Sequence, residues 1–118
     1  YVAGKKYRFK VYMVYLSSAT NNGIRLSVNP VSGNIWYKID VPLATNGTND
    51  FFTGFNSTIT HVAQGTPSTT VNNVATIEGT IHATSNGTFS FQFASELSGA
   101  GRIITIQPNS LIEFEVIE

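Results

Sequence analysis

The sequence predicts an all-β fold, an antiparallel two-sheet β-sandwich of jelly-roll type with about eight strands. Three observations carry this expectation. Apolar residues recur with period two wherever a period can be read, and no segment sustains the i, i+3, i+4, i+7 spacing of an amphipathic helix. Clusters of Gly, Pro, Asn and Ser interrupt the chain at short intervals. Several of the runs between them have one apolar and one polar face, and each such face needs a second dry sheet to cover it.

The first predicted strand, 5–16, carries Tyr7, Phe9, Val11, Met13 and Tyr15 on one side. Its other side begins as Lys6, Arg8 and Lys10 and continues as Tyr12, Val14 and Leu16, so the second half is apolar on both faces. A two-layer sandwich covers only one of them, and the other needs a cover of its own. Another copy of the chain would make Tyr12, Val14 and Leu16 an oligomer interface; a loop or edge segment of the same monomer is the alternative.

The second strand, 23–30, sets Ile24, Leu26 and Val28 against Arg25 and Ser27. In the third, 33–41, Ile35, Tyr37 and Ile39 oppose Asn34, Trp36, Lys38 and Asp40. A fourth is expected over 51–62. A fifth, 73–84, opposes Ala75, Ile77 and Ile81 to Thr76, Glu78 and Thr80. The sixth, 87–95, has the clearest alternation, with Phe89, Phe91 and Phe93 against Thr88, Ser90 and Gln92. Runs 102–107 and 110–117 complete the set, the last with Ile112, Phe114 and Val116 on a dry side and Glu113 and Glu115 on a wet one.

Asn86-Gly87 between two alternating runs predicts a hairpin with a type I′ turn, and Asn22-Gly23 and Ser32-Gly33 give similar signals. The longer polar connections at 44–50 and 64–72 are expected to cross between sheets. An immunoglobulin-like sandwich fits less well, because its Cys pair is missing.

At 118 residues the chain is one domain, 1–118, and its start at Tyr1 instead of Met points to a piece of a longer polypeptide. Seven basic and seven acidic residues give zero formal charge, which removes the electrostatic argument for nucleic acid or an anionic membrane as partner. With only 12% charged residues, solubility rests on 14 Thr, 11 Ser and 11 Asn. No Cys is present, which excludes disulfides and thiolate chemistry. No apolar run approaches the roughly 20 residues of a membrane-spanning helix, and no signal-peptide pattern opens the chain.

Catalytic chemistry is thinly supplied. Glu78 and His82 share a strand face at about 13 Å, too far for contact. Glu113 and Glu115 share another at about 6.6 Å, a spacing a glycosidase pair could use, although alternating acids on an exposed strand are far commoner. His61 and His82 lack partners at ligand spacing, so neither a metal nor a cofactor is expected. Gly99-Ala100-Gly101 precedes a strand instead of a helix and is no phosphate loop. Asn46, Asn56 and Asn86 each open an N-x-S/T triplet, as chance allows in a chain this rich in Asn and Thr. The single Trp sits on a polar face, and an exposed indole flanked by Asn34, Lys38 and Asp40 can stack on a sugar ring or anchor a protein contact.

Two stretches carry a resemblance. YRFKVYMVYLSSATNNGIRLSV joins an aromatic-rich strand (Tyr7, Phe9, Tyr15) to Gly23-Ile24-Arg25. ATIEGTIHATSNGTFSFQFASELSGAGRIITIQPNSLIEFEVIE holds an Ala-x-Ile-Glu-Gly strand (Ala75 to Gly79), a Gly-Thr-Phe strand running into Phe-Ala-Ser-Glu (Gly87 to Glu96), and a closing strand after Gln107-Pro108-Asn109-Ser110. Together they resemble jelly-roll modules of tailed-bacteriophage virion proteins, in head-decorating, fibre and tail-associated positions, and loosely the tumour-necrosis-factor and complement-globular-head folds. The section from Pro42 to Asn73 departs from that pattern. The resemblance implies a non-enzymatic structural part of an extracellular particle that trimerises and touches other virion proteins. It transfers no catalytic residue. A fibre tip that recognises cell-surface glycan through Trp36 is the alternative.

Overall fold

The computed structural model describes residues 1–29, 34–43, 49–55 and 60–118. They form strands β1 (Lys6–Ser17), β2 (Ile24–Asn29), β3 (Asn34–Pro42), β4 (Asn49–Phe55), β5 (Thr60–Val62), β6 (Asn73–His82), β7 (Ser90–Ser95), β8 (Ile104–Ile106) and β9 (Leu111–Val116). Every pairing is antiparallel. A large sheet runs β4-β3-β6-β1 with β8 and β9 beyond β1, and a small sheet runs β5-β2-β7. Tyr7 is paired with both Ile81 and Val116, and Tyr15 with both Asn73 and Ile106, so β8 and β9 lie along the same side of β1. They are one lane broken at 107–110, where Gln107 N donates to Val14 O (2.8 Å) and Val14 N donates to Ser110 Oγ (2.9 Å). Nine segments thus occupy the eight lanes of the expected sandwich. The strand order does not by itself establish the jelly-roll winding.

The alternation read from the sequence sorts the core. Tyr7, Phe9, Val11, Met13 and Tyr15 are buried with Ile35, Tyr37, Ile39 and Val41 of β3 and Ala75, Ile77 and Ile81 of β6. From the small sheet, Ile24, Leu26 and Val28 are fully buried against them, with Phe89 and Phe91 packed alongside. At Gly79 a Cβ would come within 2.1 Å of Trp36 O and 2.8 Å of the Phe9 ring, so this position must lack a side chain for Phe9 to cross β6.

Several local expectations fail because pairing is decided between distant strands. The run 51–62 is two strands: β4 pairs with β3 in the large sheet, and β5 with β2 in the small one. The connection near 44–50 joins neighbours, since Pro42 is paired with Asn49, whereas 64–72 does cross between sheets. Asn86-Gly87 is not a hairpin turn, because β6 and β7 belong to different sheets. It is held by the start of the chain: Tyr1 N donates to Gly87 O (2.7 Å), Gly87 N to Tyr1 O (3.1 Å), and Ala3 N to the Asn86 side chain at Oδ1 (2.8 Å). Asn22-Gly23 likewise links the two sheets. Ser32-Gly33, Asn46 and Asn56 lie outside the described residues.

The expected dry side of the last strand is also corrected, since every residue of β9 is exposed. Five lanes at about 4.8 Å each are wider than three, so the small sheet cannot cover the whole inner face of the large one. Ile112, Phe114 and Val116 are in register with Val11, Phe9 and Tyr7 and so face inward, but beyond the edge of the small sheet.

One end of the sandwich is closed by a polar knot. Glu96 Oε2 accepts from Gly23 N (2.7 Å) and Gly65 N (3.0 Å), while Glu96 N donates to Gly23 O (2.8 Å). The buried Asn22 accepts from Ser95 Oγ (2.6 Å) and Leu97 N (3.1 Å) through its side chain. A Cβ on Gly23 would meet Ala63 O at 1.9 Å, so three chain segments converge here on bare backbone. Backbone donors left without their carboxylate cost on the order of 1–3 kcal/mol. Glu96→Ala is therefore expected to lower the unfolding free energy by about that amount in urea titration, whereas Glu113→Ala, with no hydrogen bond of this kind, changes it by about 0.5 kcal/mol or less.

Candidate functional site

The outer face of the large sheet is built in cross-strand rows fixed by register. Arg8 stands between Glu115 and Thr80, with Trp36 beyond Thr80. The next row reads Glu113, Lys10, Glu78, Lys38, Thr53. After it comes Leu111, Tyr12, Thr76, Asp40, Phe51, and then Val14 beside Val74. The face thus changes from charged to apolar along the strands.

In the charged half, Arg8 Nη2 contacts Glu115 Oε2 at 2.6 Å and Lys38 Nζ contacts Glu78 Oε1 at 2.7 Å. Lys10 Nζ reaches Glu78 Oε2 at 3.8 Å and lies 4.9 Å from the Tyr12 ring centre. The Lys38 hydrogen bond holds the Glu78 carboxyl below its ordinary value, aided by the Lys38 and Lys10 charges. Lys10 is held above its ordinary value, first by the Tyr12 hydroxyl and then by Glu78 and Glu113.

These rows floor an open cleft of about 710 Å³, with Trp36, Arg8, Lys38, Glu78, Thr53 and Thr80 in its lining. Trp36 is 48% exposed. Of the four contact residues expected from the sequence, the structure brings Trp36 and Lys38 into the cleft, while Asn34 and Asp40 lie one row before Trp36 and one row after Lys38, outside its lining. Arg8, Lys10, Thr53, Thr80, Glu113 and Glu115 were not anticipated there. Their shared outward parity was visible in the sequence, but the pairing that aligns them comes from strands up to 107 residues apart.

Chemically the cleft presents one exposed ring, Trp36, with hydroxyls, the Arg8–Glu115 and Lys38–Glu78 pairs, and Glu113 in register with Lys10. Glu115 is held by Arg8 and Glu78 by Lys38, so neither carboxylate of those pairs is poised as a free acid or base. Among the described residues, no group of three or more His, Cys, Asp or Glu could hold a metal ion, and no helix is long and apolar enough to cross a membrane.

In the apolar half, Tyr12, Val14 and Leu16 are half-buried, with Val74 and Leu111 exposed beside them. They stand on the side of β1 away from the small sheet. A second uncovered apolar surface lies at the sandwich edge, where Phe93, Ile112, Phe114 and Val116 are 43–60% exposed. Phe114 stacks on Tyr7 (4.8 Å between centres) and leans on Phe89 (5.3 Å), the residue that leads into β7, which puts the start of β7 and β9 at the same edge. No family model, curated protein or solved structure matches the chain.

Because the folded-state pKa of Glu78 is depressed, its ion pairs stabilise the fold above the ordinary value of 4.5 and that contribution is lost as pH falls through the lowered one. The side chain is 38% exposed, so the gain is screened to about 1 kcal/mol or less. Glu78→Gln is expected to flatten part of the loss of melting temperature below pH 4.5, as thermal unfolding by circular dichroism would record.

Proposed function

We propose that the chain is a non-enzymatic structural module of a virion, in a head-decoration, fibre or tail position, that self-associates as a trimer and touches other virion proteins of the extracellular particle. The observation that carries this reading is the apolar half of the outer face, where half-buried Tyr12, Val14 and Leu16 stand on the central strand with exposed Val74 and Leu111 as neighbours. Contiguous apolar surface of this kind marks interaction sites. The phage-like strand and turn pattern of 7–28 and 75–118 supports the virion setting, and zero net charge speaks for protein neighbours over nucleic acid or membrane. The engagement of Glu78 by Lys38 and of Glu115 by Arg8 favours adhesion over catalysis.

Light scattering at micromolar concentration is expected to give about three times the 12.8 kDa of the chain. Val14→Lys should reduce this to a monomer with an unchanged circular dichroism spectrum. A wild-type monomer would count against self-association, and a Val14→Lys chain that unfolds would place Val14 in the core.

A second reading, favoured by the cleft and its exposed indole, is a fibre tip that binds cell-surface glycan. Aromatic stacking with surrounding hydroxyl and ionic groups suits weak sugar recognition, multiplied by trimeric avidity. On a glycan array, Trp36→Ala is then expected to abolish the signal; binding that survives the change would reject Trp36 as the platform.

A further inference from the structure

We infer that β9 of one copy docks on the β7 edge of the next, so that the open edge of the sandwich faces the axis of the assembly. The inference rests on the self-association proposed above and names the edges that meet. Among the described residues, β7 is paired only with β2 and β9 only with β1, so each presents an unpaired edge on the same side of the molecule. Unpaired edges are templates for another strand unless charge, brevity or a bulge protects them. β5 is three residues long, β4 carries Asp50, and β9 carries Glu113 and Glu115. β7, Ser-Phe-Gln-Phe-Ala-Ser, has no charge and no Pro.

The same contrast selects the partner. Two β9 strands side by side with inward faces matched would set Glu113 and Glu115 against their own copies, and like charges directly opposite are destabilising. A β7–β9 contact brings those carboxylates beside Ser90 and Gln92 instead, both exposed and uncharged. In a ring of copies turned about an axis along the strands, the edge of each large sheet meets the edge of the next small sheet. The β7–β9 contact is heterologous, so the trimer proposed above requires that its rotation close the ring.

Size agrees with a second copy as the occupant. The exposed parts of Phe93, Ile112, Phe114 and Val116 amount to roughly 400 Å², inside the ~300–600 Å² range where a single patch is often functional. That is about half of the ~800 Å² per partner in a stable interface. Leu111, in register with Tyr12, continues the apolar surface around β9 onto the outer face, so edge and outer row form one contact.

The test uses the whole chain with charge placed on β7, read by sedimentation equilibrium. Ser90→Glu with Gln92→Glu is expected to raise the dissociation constant by about tenfold or more at low salt, an effect that 1 M NaCl removes. Ser90→Lys with Gln92→Lys should leave it unchanged or lower it. Ile112→Ser, at an exposed position that the fold does not need covered, should dissociate the assembly without altering the circular dichroism spectrum. Equal weakening by both charge signs, or no change with either, overturns the β7–β9 contact. If Val14→Lys dissociates the assembly while Ile112→Ser and both charge pairs leave it intact, self-association stands and the edge contact falls. A wild-type monomer removes both.

Discussion

The structure depends on β1, a twelve-residue strand that must satisfy neighbours on both edges and apolar surface on both faces. β6 runs along one edge for ten paired residues, and β8 and β9 share the other. Its odd-numbered residues supply the centre of the core. Its even-numbered residues fix the register of everything on the outside, because each cross-strand row is counted from Arg8, Lys10, Tyr12 or Val14. A shift of one residue in the β1–β6 pairing would turn every one of these rows over, which is why a strand with a fully buried face holds its register strongly.

The charged half of the outer face follows from that register and from composition. With few ionic residues in the chain, those that exist are placed so that Glu78 lies between Lys10 and Lys38 and Glu115 beside Arg8. Exposed pairs of this kind contribute little to stability, about 0–1 kcal/mol each. Their larger effect is on chemistry: Glu78 and Glu115 are each held by a cation beside one exposed indole.

The mismatch between five lanes and three is the source of the uncovered edge. A strand with an apolar inner row normally disappears beneath the opposing sheet, yet β9 lies past the point where the small sheet stops. The inner row of β9 is therefore built like core and placed like surface, while its outer row carries the acids that discourage pairing with its own kind. The knot of Glu96, Asn22 and Gly23 and the clamp of Tyr1 and Ala3 on Asn86-Gly87 do for the two ends what no third layer does for this side.

By itself the sequence determined the fold class, the inward and outward parity of nearly every strand, the two-faced apolarity of β1 and the outward placement of Trp36, because period-two alternation is a local property of the chain. Only the tertiary structure decided which strands became neighbours. That choice split 51–62 between two sheets, turned Asn86-Gly87 from a presumed hairpin into an inter-sheet connection, gathered Arg8, Lys38 and Glu78 around Trp36, and left Ile112, Phe114 and Val116 outside the cover of the small sheet. Alternation states which side of a strand is dry, but how wide the opposing layer will be depends on long-range pairings whose energies are summed over the whole molecule.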